Sequence, residues 1–317
     1  MIMKKKLGLI ILAISLIFLS SLAMAEIDGP CEKTTGKIIK VYSPLNGDNH
    51  TFKSIDGTQT GDQCSEVPDA YRVTIYKFGL CKKNPFTAND FSSCEYYVES
   101  DAGVSHTITG GVGIKSPLPI TSTPTPGKYN YIIMLLSNSF NIKHTQEYSA
   151  AVYSNPNAGG ETSGTTCWSV AHTTSFGQFG SDYDDKGSPD DGGIECGAAS
   201  DAAPAFTTEI FDTLGESEGT EAFRAVNTES MEVGGNAMWA KLLRSDNATT
   251  ASAYTNAARI LVVIDTAAPK VLLPTSQVEI KIKLTDAVSV DTGYSSSKLY
   301  AVKMGADPVQ VDVVISD

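Results

Sequence analysis

Tyr71-Arg-Val-Thr-Ile-Tyr-Lys-Phe-Gly-Leu-Cys81 and, after a polar loop holding Asn84-Pro85, Cys94-Glu-Tyr-Tyr-Val98 decide how the rest of the chain reads. Both runs are rich in β-branched and aromatic residues, which suit a pleated, half-buried surface. A cysteine closes the first run and opens the second, so the pair reads as a hairpin stapled at its loop. Working outward, Gly127-Lys-Tyr-Asn-Tyr-Ile-Ile-Met-Leu-Leu136 carries apolar residues on both alternating faces. That pattern predicts a central strand covered on both sides, with 71–98 as its nearest cover.

Farther along, Gly36-Lys-Ile-Ile-Lys-Val-Tyr42 reads as a strand ended by Ser43-Pro44, and Asn46-Gly47 and Asp56-Gly57 are turn signals. The Pro/Thr-rich stretch 116–127 reads as a crossing loop. Residues 206–214 carry a further strand, and Arg259-Ile-Leu-Val-Val-Ile264 is continuously apolar. Val278, Ile280, Ile282 and Leu284 alternate with polar residues, as do Val309, Val311, Val313 and Ile315. Asn236-Ala-Met-Trp-Ala-Lys-Leu-Leu243 is the best helix candidate. Many short strands with turn chemistry between them predict a mainly β fold. It is a disulfide-stapled antiparallel β-sandwich, jelly-roll-like, with one or two packed sandwiches and little helix.

The organisation expected is a signal peptide over 1–25, an N-terminal β region over 26–153, a Gly/Asp-rich loop segment over 154–205 and a C-terminal β region over 206–317. Lys4-Lys5-Lys6, the apolar run 7–22 and Ala23-Met24-Ala25 have the charged, apolar and small-residue parts of a secretory signal. Cleavage after Ala25 would leave 292 of the 317 residues and move the formal charge from −12 to −15 by loss of three lysines. Such an acidic chain is a poor partner for nucleic acid, whose phosphates demand a basic surface. No other stretch is apolar and long enough to span a bilayer, so no membrane insertion is expected after cleavage. The expected location is secreted, periplasmic or cell-surface.

Six cysteines in an exported chain point to disulfides. Fifteen connectivities are open; pairing between sequence neighbours, Cys31–Cys64, Cys81–Cys94 and Cys167–Cys196, is favoured. A zinc site is the rival reading, but no C-x-x-C or C-x-x-H pair occurs.

Chemistry is harder to find. Thr166-Cys167-Trp168-Ser169 resembles the cysteine–tryptophan nucleophile motif of papain-like proteases, a family that needs a histidine far downstream. The last histidine here is His172, and the preceding residues differ, so a disulfide cysteine beside a buried tryptophan is the plainer reading. No Gly-x-Ser-x-Gly occurs, and His50, His106, His144 and His172 sit in polar contexts where exposure is expected. Acids abound, but no spacing singles out a catalytic pair. Only Trp168 and Trp239 offer tryptophan platforms for sugars.

The most specific local feature is Asp182-Tyr-Asp184-Asp185-Lys-Gly187-Ser-Pro-Asp190-Asp191. An oxygen-rich loop with a glycine suits calcium, which takes six to eight oxygen ligands. Lys186 and Gly193 break the EF-hand pattern, so a solvated acidic loop competes with Ca2+ at Asp182, Asp184, Asp185, Asp190 and Asp191. No other cofactor is expected. Asn49-His-Thr51 and Asn247-Ala-Thr249 match the N-glycosylation tripeptide.

The runs 71–81, Ser93-Cys94, Pro126-Gly-Lys-Tyr-Asn-Tyr131 and Leu136-Ser-Asn-Ser-Phe-Asn-Ile142 together resemble a group of exported β-rich proteins of marine bacteria. The likeness covers mainly 64–143, with weaker echoes in 257–290. Its motifs are strand and cysteine patterns, so it implies a secreted β fold and no activity. More loosely, the layout is similar to β-rich subunits of extracellular fibres, an analogy at the level of fold.

The leading expectation is an exported non-catalytic structural or cell-surface protein, a self-associating subunit of a fibre or coat. The alternative is an extracellular binding module for a glycan, peptide or other ligand, and a third is a secreted hydrolase. Homo-oligomerisation through an exchanged terminal strand, 36–42 or 309–315, is the partner expectation.

Overall fold

A computed structural model describes residues 30–41, 53–54, 63–110, 120, 122–154, 161–175, 193–214, 216–217, 224–225, 228–233, 236–251, 256–295, 298–307 and 309–316. The segment 1–25 and the turn signals at Asn46-Gly47 and Asp56-Gly57 lie outside them. Up to the stapled hairpin the strands are β1 (Glu32–Thr34), β2 (Lys37–Val41), β3 (Lys53–Ser54), β4 (Gln63–Glu66), β5 (Ala70–Cys81) and β6 (Cys94–Thr109). Then come β7 (Gly127–Ser137), β8 (Ser139–Lys143), β9 (Thr145–Ser154), β10 (Thr162–Ser169), β11 (Thr173–Ser175), β12 (Ile194–Gly197) and β13 (Thr207–Ile210). The short β14 (Glu216–Ser217) and β15 (Arg224–Ala225) precede β16 (Thr228–Val233), β17 (Asn236–Leu243) and β18 (Arg259–Leu272). Last are β19 (Gln277–Lys283), β20 (Val288–Ser295), β21 (Lys298–Ala306) and β22 (Gln310–Ser316). A single 3-10 turn, Ala199–Asp201, is the only helical element among the described residues.

Two nine-stranded sheets carry most of these strands. The first runs β1-β2-β9-β21-β20-β4, with β3 beside β2 and β10 and β12 added beyond β9. The second runs β11-β13-β8-β5-β7-β18-β17-β16, with β6 on β5. Pairing is mostly antiparallel, and β2/β9, β9/β21 and β11/β13 pair in parallel. One apolar cluster joins the sheets: Ile38, Tyr148, Val152, Val288, Val290 and Met304 from the first meet Tyr71, Phe78, Ile132, Ile142, Ile260 and Leu242 from the second. The predicted sandwich is therefore the observed architecture. Strands from 26–153 and from 206–317 share both sheets, since β4 pairs β20, β9 pairs β21 and β7 pairs β18.

The stapled hairpin forms as the sequence predicts. Cys81 faces Cys94 in register, and β5 and β6 approach so closely at Gly79 that a Cβ there would lie 2.1 Å from the Glu95 carbonyl oxygen. On β5 the inward residues are Tyr71, Val73 and Ile75, then Phe78 and Leu80. This one-residue shift in the alternation coincides with a bulge between Ile75 and Lys77. The central strand β7 is covered on both faces, as expected: Ile132 and Met134 enter the shared core, and Ile133 and Leu135 join Cys81, Leu243, Leu261 and Val263 in a second cluster behind the sheet. Burying each such side chain stabilises by roughly 1.5–3 kcal/mol.

What covers that second cluster is the hairpin's own loop, residues 82–93. Phe86 and Phe91 pack onto it, Lys241 Nζ donates to the Phe86 carbonyl, and Asn89 Nδ2 donates to the Asn247 carbonyl at 3.1 Å and the Thr249 hydroxyl at 3.2 Å. The loop thus straps across β17 and the turn after it.

Two expectations need correction. Residues 236–243 form the strand β17, hydrogen-bonded to β16 and β18, with Met238, Ala240 and Leu242 inward and Trp239, Lys241 and Leu243 toward the strap. Eight residues with helical propensity make a marginal helix alone. Ladders on both edges override that preference, because each residue gains backbone bonds and a packed face at once. The stretch 154–205 also contains β10, β11 and β12, although its Gly, Ser, Thr and Asp content reads as loop. In β10, which lies between β9 and β12, Thr166, Cys167, Trp168 and Ser169 are buried on both faces.

Candidate functional site

The C-terminal ribbon, like the short β14–β15 pair, lies outside both nine-stranded sheets. β19 and β22 pair only with each other, Gln277 facing Ser316 and Lys283 facing Gln310. Alternation gives the ribbon two unlike faces. Val278/Ile315, Ile280/Val313 and Ile282/Val311 form the apolar rungs, and Ile280, Ile282 and Val313 are buried in the shared core. The alternate register positions are Gln277/Ser316, Glu279/Val314, Lys281/Asp312 and Lys283/Gln310. Among the described residues no strand pairs with the outer edge of either member.

Unpaired strand edges template pairing with other chains, and proteins blunt them with charge, bulges or cover. β19 carries Glu279, Lys281 and Lys283, whereas β22 carries Asp312 alone in Gln-Val-Asp-Val-Val-Ile-Ser. From outside the ribbon, Lys270 Nζ reaches the β22 backbone, 3.4 Å from the Val313 carbonyl oxygen. Beside the ribbon, Val271 and Leu273 are 45% and 43% exposed, so the segment entering β19 presents apolar surface to solvent.

The approach to β22 is pinned. Ala306 N–H donates to Glu209 Oε2 at 2.5 Å, the Tyr71 hydroxyl donates to the Asp307 carbonyl at 3.2 Å, and Asp307 N–H donates to the Ala287 carbonyl at 3.2 Å. Glu209, Asp307 and Tyr71 are all buried. Burial, then the charges of Asp307 and Glu209, push the Tyr71 hydroxyl well above its usual range, so it stays a proton donor. The chain is therefore fixed to β5, β13 and the turn before β20 up to Asp307, and β22 begins three residues later.

All six cysteines are paired as sequence neighbours: Cys31–Cys64, Cys81–Cys94 and Cys167–Cys196. Cys167 has no free thiol, and Trp168 beside it is buried in β10, so the protease-like tetrapeptide is a bridge and its packing. The five aspartates proposed for calcium, Asp182, Asp184, Asp185, Asp190 and Asp191, lie outside the described residues. Within those residues no group of three or more His, Cys, Asp or Glu side chains is arranged to hold a metal. Asn247 is committed to the fold: its Oδ1 accepts from Arg259 Nη1 at 2.6 Å, while Asn49 lies outside the described residues.

The histidines do not share one environment. His50 lies outside the described residues, and His106 and His172 are half-buried. His144 corrects the expectation of exposure: it is 3% exposed, and its backbone N–H donates to the buried Ser169 hydroxyl at 3.0 Å. Burial pulls its pKa down to about 4, with the Asp69 charge and the Gln146 side chain acting in the opposite direction and Lys33 adding to the fall.

Glu209, Asp307 and Lys270 were invisible to sequence reading. Thr-Thr-Glu-Ile and Gly-Ala-Asp-Pro are ordinary strand-end strings, and the sole hint is an acid placed where burial follows on either side. The three bridges suit an oxidising compartment, and no described helix is long and apolar enough to cross a membrane, which does not bear on spanning by strands. Comparison of the chain with protein-family models, with curated proteins and with solved structures finds no match.

Proposed function

We propose that this chain is an exported, non-catalytic structural or cell-surface β protein that self-associates, as a fibre or coat subunit does, by exchanging β22. The observation that carries this reading is the ribbon: the last strand pairs with β19 alone, outside both sheets, and carries one charge in seven residues. When β22 leaves, β19 presents Val278, Ile280 and Ile282 to a β22 from another copy in the same register. The bonds broken and formed are then the same, so exchange is nearly neutral in contacts and is governed by the hinge and by concentration. The pins on Ala306 and Asp307 keep the rest of the sandwich folded while the strand moves. Two copies that exchange β22 reciprocally close a dimer, and exchange passed from copy to copy is head-to-tail, giving rings or filaments by its rotation.

The test uses the register. Lys281 and Asp312 are directly opposed, and a Lys281→Cys, Asp312→Cys variant oxidised in concentrated solution reports where each β22 resides. Exchange gives disulfide ladders of two, three and more chains on denaturing, non-reducing gels. Bridges confined within single chains at every concentration overturn the reading. Removing 310–317 is the companion measurement: loss of high-mass assemblies with a soluble, folded monomer supports exchange, and global unfolding places β22 in its own core.

A further inference from the structure

We propose that the solvent face at the corner of β5, β8 and β13 is a binding site for a uronate, a sugar whose carboxylate is taken by Arg72. Strand register assembles it. Arg72 is paired with Asn141, Asn141 with Thr208, and Thr208 with Thr173, so four polar residues from β5, β8, β13 and β11 form one cross-strand row. Their neighbours along the strands, Tyr71, Ile142 and Thr207, are buried, so the row itself faces solvent.

Within the row the guanidinium is held in two ways. Its Nε donates to Asn141 Oδ1 at 2.8 Å, and Asn141 Nδ2 donates in turn to the Thr208 hydroxyl at 2.8 Å. Its plane lies over Phe206, with Cζ 4.3 Å from the ring centroid, and Lys143 Nζ stands 5.9 Å from the same ring. Packing and a hydrogen bond thus fix the guanidinium before any ligand arrives, which lowers the entropy lost on binding. Among the described residues only Nε is used, so Nη1 and Nη2 form an end-on fork matched to the two oxygens of a carboxylate.

Neither Arg72 nor Lys143 forms an ion pair with a described carboxylate, although the chain carries 36 acidic against 24 basic residues. Two cations with no described carboxylate partner, about 6 Å or less from one ring, hold a local positive field that draws an anion. The remaining donors choose the ligand class. Thr208 accepts from Asn141 and keeps its own hydroxyl proton to give, and Thr173 adds an exposed hydroxyl next to it. Hydroxyl and amide groups beside a carboxylate fork match the alternating carboxylate and hydroxyls of a uronate ring.

The experiment titrates the full exported chain with oligogalacturonate at low salt, following heat and backbone amide shifts. Saturable binding with shifts centred on residues 72, 141, 173 and 208 is the expected result, and Arg72→Gln weakens it tenfold or more. Arg72→Lys, which keeps charge and drops the fork, weakens it comparably, and Lys143→Gln costs a few-fold that salt erases. Both Arg72 variants are checked for an unchanged melting temperature, and the shift map stands independently of them. The proposal is overturned by no saturation at 10 mM oligogalacturonate, by shifts centred elsewhere, or by undiminished binding to Arg72→Gln. Equal affinity for a poly-glutamate peptide of the same charge also overturns it, by making the site one for acidic peptide.

Discussion

Taken from pH 7 to about pH 4, the protein loses about 3 kcal/mol more folding stability than its His144→Gln variant does. The cause is the burial that holds the His144 pKa down to about 4 in the folded chain, against ~6.5 for an unfolded histidine. Burial disfavours the charged imidazole, so the folded state refuses a proton that the unfolded state accepts. As pH falls below ~6.5 the unfolded chain gains that proton, and stability is lost until the folded site protonates too, near pH 4. Each unit between the two values is worth ~1.4 kcal/mol, which gives the size of the effect. Carboxylates elsewhere contribute to acid unfolding in both proteins, and the difference between variant and parent isolates the histidine. Urea unfolding at half-unit pH steps measures it. Parallel curves for the two proteins would mean that His144 gains a solvated route or a compensating partner on protonation, such as Asp69, whose charge already favours the protonated form.

Replacing Cys81 and Cys94 together by alanine lowers stability by roughly 2–4 kcal/mol, on the order of 3 for a closed loop of about 15 residues. Alanine is preferred because Cys81 is fully buried against Ile133, Leu135 and Leu261, where a serine hydroxyl would add its own desolvation cost. The bridge acts by restricting the unfolded chain, so the folded ladder of β5 with β6 and β7 persists in the variant. Locally the strap loosens first. Hydrogen exchange rises at residues 82–93, whose anchors are then the Lys241 and Asn89 hydrogen bonds and the packing of Phe86 against Trp239, ring centroids 6.3 Å apart. Guanidinium unfolding of both proteins under oxidising conditions supplies the comparison. A loss below about 1 kcal/mol would show that the hairpin register already closes this loop in the unfolded ensemble.

Reading the strand runs at 71–81 and 127–136 was reliable because their information is local. Each has a two-residue period or an unbroken apolar run, and each cysteine sits where a strand meets its loop. Residues 236–243 were misread for a related reason. Met, Ala, Lys and Leu favour a helix in isolation, and the evidence for a strand lies in partners up to 26 residues away in the ladder with β16 and β18. The strap belongs to the same class of hidden fact. Nothing in residues 82–93 announces that Phe86 and Phe91 seal the back of a sheet built partly from residues 239–263.

The strand inventory, the Cys81–Cys94 pairing and the amphipathic character of the last strand are written in short-range patterns, since backbone geometry forces side chains to alternate and a hairpin brings these two cysteines together. The bridges Cys31–Cys64 and Cys167–Cys196, closing loops of 33 and 29 residues, were favoured but left open by the sequence. Which strand lies beside which was decided only by the tertiary structure. Sheet order joins β4 to β20 and β9 to β21 across more than a hundred residues, and no period in the chain encodes a neighbour at that distance. The same holds for the fixed guanidinium of Arg72 and for Glu209 and Tyr71 gripping residues 306 and 307, because a buried polar group finds its partner through the packing of whole sheets and the need to leave no donor or acceptor unpaired. β22 ends in a ribbon with β19 for a physical reason of that kind: the rungs Ile280/Val313 and Ile282/Val311 join the shared core from outside the sheets, and the chain before β22 is held by Glu209 and Tyr71.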